Sequence, residues 1–138
     1  PPPPTNPTSS FVGSVKMCIR DRSKTIFQRI IDREIPSEIL YEDELCIVIK
    51  DIAPKAPVHL LVIPKKLISK LSESSEEDTN LLGHMLKIVR EMARNYGIEE
   101  AFNVVINNGE KAGQTVFHLH IHVLGGNQVE LPSELITD

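Results

Sequence analysis

The chain has 138 residues, a formal net charge of −4, 41% apolar and 25% charged residues, no Trp and two cysteines. That length suggests a single domain able to bury a core without disulfides, and the negative balance opposes non-specific binding to nucleic acid or anionic lipid. Sparse aromatic residues argue against base-stacking platforms, Cys18 and Cys46 show no CxxC spacing, and no apolar run is long enough to span a bilayer, so the expectation is a soluble cytoplasmic protein.

Residues 1–23 open with four prolines and carry no amphipathic period. Proline fixes φ and removes N–H donors. This stretch, ending in the run MCIRDRS, is therefore expected to be a disordered or non-native tail outside the fold. Order is expected from about Ser23, where Ser23 or Thr25 caps a helix carrying Ile26, Phe27, Ile30 and Ile31 on one side, with Pro36 beyond its end. Residues 39–42 and 45–50, joined at Asp43-Glu44, read as a hairpin. Two prolines make 51–57 irregular, and 58–64 reads as a third strand.

Two overlapping capping boxes follow, Ser74 with Glu77 or Ser75 with Asp78. Behind them Leu81, Leu82, Met85, Ile88, Val89 and Met92 recur at helical spacing until Gly97 supplies a stop. Residues 102–107 and 116–124 read as two further strands around the loop 108–114, and Gly125-Gly126 ends the last one. Helix, three strands, helix, two strands lacks regular βαβ alternation, which predicts an antiparallel α+β sheet.

Three of the five histidines, His118, His120 and His122, alternate with Leu119 and Ile121. Strand alternation would send the three imidazoles to one open face and Leu119, Ile121 and Val123 into the core. His59 opens another strand after the proline-rich turn. Adjacent imidazoles repel once charged, so an idle cluster has nothing to recommend it. Two histidines at i, i+2 can ligate zinc, with His59 as a further ligand, although no cysteine or acidic residue lies near them in sequence. Imidazole also titrates near neutrality and serves as nucleophile, base or acid. Spacing alone does not choose between zinc and catalysis. The run Gly113-Gln114-Thr115 just upstream adds a glycine that lets backbone N–H groups approach an anion and a hydroxyl donor, which favours phosphoryl chemistry. Asp51, between a strand and the turn, suits either a turn cap or a ribose diol.

The run His118-Leu-His-Ile-His-Val-Leu124 resembles the His-φ-His-φ-His-φ-φ signature of the histidine-triad superfamily. The resemblance extends over about residues 24–128 and includes DIAPKAPVHLLVIPKK and NNGEKAGQTVFHLHIHVLGG, with 129–138 as a C-terminal tail. Gly113-Gln-Thr and Gly125-Gly126 are similar to the HINT branch, the purine nucleoside phosphoramidases. Leu119 departs from the His-Pro-His pattern of the uridylyltransferase branch, and no zinc finger accompanies the motif as in the aprataxin-like branch.

The resemblance implies an α+β HIT-like fold, a five-stranded antiparallel sheet with one short and one long helix, and a homodimer. It implies hydrolysis of P–N bonds in AMP–amine conjugates through a nucleotidyl-histidine. His120 would attack phosphorus, His122 would help protonate the leaving amine, and His118 and His59 would orient the nucleophile. Asp51 would hold the ribose, Asn107, Gly113, Gln114 and Thr115 the phosphate side, and Ile35 and Ile52 the base. No cofactor is required, with zinc a secondary expectation, and neither nucleic acid nor membrane is an expected partner. The competing functions are a dinucleoside polyphosphate hydrolase using the same His120 and a nucleotide-binding regulatory or scaffold protein. Residues 129–138 lack a Trp that many animal relatives carry, and Leu131-Pro132 stands there instead, which puts leaving-group selectivity in question.

Overall fold

The computed structural model describes residues 24–126, so the predicted tails at 1–23 and 129–138 lie outside the described residues. Helix α1 (Ile26–Ile31) is followed by β1 (Ile39–Glu42), β2 (Cys46–Lys50) and β3 (Val58–Pro64), then α2 (Thr79–Asn95), β4 (Phe102–Val105) and β5 (Ile121–Gly125). The strands form one sheet in the order β1-β2-β3-β5-β4. Every pairing is antiparallel, as the element order predicts.

The two helices cover opposite faces. Cys46, Val48, Leu60, Val62, Leu119, Ile121 and Val123 pack on one face against Met85, Ile88, Val89, Met92 and Ala93 of α2. Ile47, Ile49, Leu61 and Ile63 pack on the other against Phe27 and Ile30 of α1. Strands β2 and β3 are therefore buried on both faces, which is why they read as near-continuous apolar runs rather than alternating ones.

Local chemistry sets the element ends. Thr25 Oγ1 accepts the Gln28 N–H at 3.0 Å and caps α1. Of the two candidate boxes before α2, the Ser75–Asp78 pair forms, with the Asp78 carboxylate accepting the Ser75 N–H at 2.9 Å. Gly97 at φ 74° stops α2 in the left-handed region that glycine enters without a Cβ clash.

The last strand is shorter than predicted: it starts at Ile121, not 116, and β4 ends at Val105, not 107. Pairing runs out there, because β3 reaches only Val62↔Ile121 and β4 only Val105↔His122. The backbone upstream bonds elsewhere instead. Leu119 N–H donates to Ile68 O at 2.6 Å, and His118 O accepts from a side chain. His118, in a bend, and His120 thus stand on an irregular segment leading into β5, with only His122 inside the strand.

Candidate active site

The alternation foreseen for the histidines holds across this irregular segment. Leu119, Ile121 and Val123 enter the α2-side core, while His120 and His122 turn to the α1 side. The face is not open, however. His59, His118, His120 and His122 are all buried, at 3% exposure or less. The cover is α1, whose Phe27 ring meets His120 edge-on at 4.9 Å between centroids and His118 at 6.3 Å. The helix is legible in sequence, but where it docks is not.

Hydrogen bonds assign the protons on these rings. Carbonyl oxygens only accept, so His118 Nε2–H donates to Pro64 O at 2.8 Å and His120 Nδ1–H donates to His118 O at 2.7 Å. Neutral His120 therefore carries its lone pair on Nε2. His118 Nδ1 contacts Thr25 Oγ1 at 3.0 Å. His59 Nδ1 accepts the Lys55 N–H at 3.0 Å, which leaves the His59 proton on Nε2, 2.9 Å from His122 Nδ1.

Register explains why these two rings meet. His122 lies opposite Leu61 and Leu124 opposite His59, so His59 and His122 are diagonal neighbours on one face. The rings of His120 and His122 follow at 5.1 Å between centroids.

Burial favours the uncharged form of such rings. It drives His59 down to about 4, with the Asp51 carboxylate opposing and His122 and Lys55 adding to the fall. His118 is also lowered, again by burial first, against the pull of its bond to Pro64 O. Both rings are neutral at pH 7, so the 3.3 Å approach of His59 Nε2 to Asp51 Oδ2 is not an ion pair, and the one Nε2–H is directed at His122 Nδ1.

His120 and His122 form one wall of a cavity of about 270 Å³. Its other walls are mainly apolar, from Ile26, Phe27 and Ile30 of α1, Ile35, Ile49 and Leu61, with Asp51 and Ile52 at one side. Ile52 is 96% exposed, an apolar side chain with nothing packed over it. Asp51 fills the turn-capping role as well, since its Oδ1 accepts the Ala53 N–H at 2.8 Å.

The structure brings Ile35, Asp51, Ile52, His120 and His122 to this cavity, with His59 and His118 behind the wall. Asn107, Gly113, Gln114 and Thr115 are not among the residues that line it. Gly113 turns the loop at φ 97°. Gln114 is buried, its Oε1 accepting the Gly109 N–H at 2.8 Å and its Nε2 donating to Ser69 O at 2.8 Å and Val116 O at 3.0 Å. That side chain braces the loop. Two contributors escaped the sequence reading, Thr25 and Phe27. Thr25 caps α1 and Phe27 lies on it, and their contacts with residues more than 90 positions away leave no local signal.

Zinc through His118 and His120 does not suit this geometry, because both His118 ring nitrogens are hydrogen-bonded. The donor atoms that gather instead, within 4.8 Å of one another, belong to Asp51, His59 and His122. A second mixed group, Asp43, Cys46 and His84, forms a structural pin. There Asp43 Oδ1 accepts the Leu45 and Cys46 N–H groups while Oδ2 accepts from the Tyr41 hydroxyl and from His84 Nε2 at 2.6 Å, tying the β1–β2 turn to α2.

A five-stranded antiparallel sheet, a long helix on one face and an alternating histidine row beside a covered cavity define a histidine-triad protein. The HIT domain family model matches residues 32–129, and the chain belongs to that family. An uncharacterized HIT-like protein of Synechocystis is 55% identical over 108 residues, covering 78% of this chain and 95% of its own. Among solved structures, a HIT family hydrolase from Legionella pneumophila superposes with a TM-score of 0.77 at 36% identity, covering 80% of this chain and 99% of that one. A histidine triad nucleotide-binding protein from Candida albicans gives a TM-score of 0.68 at 32% identity, over 79% and 83% of the two chains.

Proposed function

We propose that this protein is a purine nucleoside phosphoramidase, hydrolysing the P–N bond of AMP–amine conjugates through a nucleotidyl-His120 intermediate. The observation that carries this reading is the bond from His120 Nδ1–H to His118 O, which puts the ring's lone pair on Nε2 at the wall of an apolar cavity. The apolar walls suit a purine, and Asp51 beside them suits the ribose diol. In this reaction Nε2 attacks the α-phosphorus, the P–N bond breaks, and the amine departs with a proton passed through His122. Water then attacks the nucleotidyl-His120 phosphorus, returns one proton and releases the nucleoside monophosphate. His59 holds His122 from behind, and His118 holds His120.

The similarity to the Legionella HIT family hydrolase and to the Candida histidine triad nucleotide-binding protein supports the same class of chemistry. The reading includes cytoplasmic action as a homodimer that needs no metal. Strand β4 lies at the edge of the sheet with Val104 42% exposed, a surface suited to a second copy. Among the described residues no helix is long and apolar enough to cross a membrane.

The test is steady-state hydrolysis of an adenosine phosphoramidate, with diadenosine polyphosphate in parallel and His120→Ala as control. P–N cleavage that disappears in the variant is expected. Turnover of the polyphosphate alone would move the protein to dinucleoside polyphosphate hydrolysis. AMP binding without turnover of either would leave a nucleotide-binding regulatory role.

A further inference from the structure

The cap of α1 also reaches the histidine row. Thr25 Oγ1 accepts the Gln28 N–H at 3.0 Å and lies 3.0 Å from His118 Nδ1, while His118 Nε2–H is committed to Pro64 O at 2.8 Å. A neutral imidazole carries one N–H, so Nδ1 is an acceptor and the Thr25 hydroxyl must donate to it. His118 is thereby held at both edges, and its own carbonyl receives His120 Nδ1–H at 2.7 Å.

We propose that Thr25 is a positioning residue: by donating its hydroxyl proton to His118, it fixes the ring and backbone arrangement that keeps the His120 lone pair on Nε2. This rests on reading His120 as the nucleophile. The competing account is that Thr25 only caps a helix, a role that needs an acceptor and no donor.

Thr25→Asp separates the two. Asp caps at least as well as Thr but, when ionised, has no proton to give. Facing a carboxylate, His118 would have to take a proton on Nδ1 and become a cation beside His120. Thr25→Ser keeps both acceptor and donor and should restore the wild-type state. Thr25→Val removes both and serves as a second variant should the Asp protein not fold.

The experiment is two-bond ¹H–¹⁵N correlation of the histidine rings in the full chain, together with phosphoramidate kinetics. Wild type and Thr25→Ser are expected to show His118 with its proton on Nε2 and His120 with its proton on Nδ1. Thr25→Asp is expected to show doubly protonated His118 and kcat lowered about 10- to 100-fold, with KM changed by less than about twofold. Wild-type ring protonation in Thr25→Asp, or kcat within about twofold of wild type, would leave Thr25 as a cap alone and overturn the proposal. If wild type fails to cleave P–N bonds, the functional reading fails, and the ring spectra still decide what Thr25 does.

Discussion

Gln114→Leu separates a brace from a ligand. In the folded chain the Gln114 side chain makes three hydrogen bonds while only 1% exposed, to Gly109 N–H, Ser69 O and Val116 O. Leu has similar bulk but leaves those backbone groups without this partner. At about 1 kcal/mol for each neutral bond lost in a buried setting, the cost is about 3 kcal/mol. For a domain of this size that lowers Tm by on the order of 10–20 °C, readable by differential scanning calorimetry of the free protein. Gln114→Glu sharpens the test. Its ionised carboxylate would face the two carbonyl oxygens, so burial and repulsion raise its folded pKa above the unfolded value. Stability is then present at low pH and lost as pH rises through that folded pKa, so the deficit relative to wild type should be smaller at pH 5 than at pH 8. A Gln114→Leu protein that melts within about 2 °C of wild type while KM for the nucleotide rises would refute the brace and restore Gln114 as a ligand.

The neutral histidines predict an acid-sensitive fold. Folded pKa values of His59 (about 4) and His118 (lowered) lie below the ordinary value, so the unfolded chain binds more protons as pH falls. Urea midpoints should therefore decline from about pH 6.5 toward about pH 4, and equal or higher stability at pH 5 than at pH 7 would contradict these assignments. Gly125→Ala is expected to destabilise by about 1–3 kcal/mol, since a Cβ there would come 2.9 Å from Ile98 Cδ1 and 3.2 Å from the Ala101 carbonyl oxygen. An unchanged urea midpoint in that variant would mean that the segment 98–101 yields more readily than its packing implies.

Much of this protein is legible in its sequence because the deciding interactions are local or periodic. Helix α2 follows from the spacing of Met85, Ile88, Val89 and Met92 with a cap before it and Gly97 after it. Strand β3 matches its apolar run from Val58 to Pro64. The alternation that sends Leu119, Ile121 and Val123 into one core and the histidines to the other side is likewise a property of extended chain.

Tertiary structure alone decided the rest. Sequence gives a short helix near Thr25, but only docking across the sheet lays Phe27 over His120 and buries a face that alternation alone would leave open. It gives Gln114 beside a flexible glycine, but only the folded loop aims that amide inward at three backbone groups. The protons on the histidine rings are set by a carbonyl on β3, a hydroxyl on α1 and an N–H in the proline turn, contacts between segments far apart in the chain. Residue types and period fix which groups are present. Which nitrogen carries the lone pair depends on partners that only the fold brings within hydrogen-bonding distance.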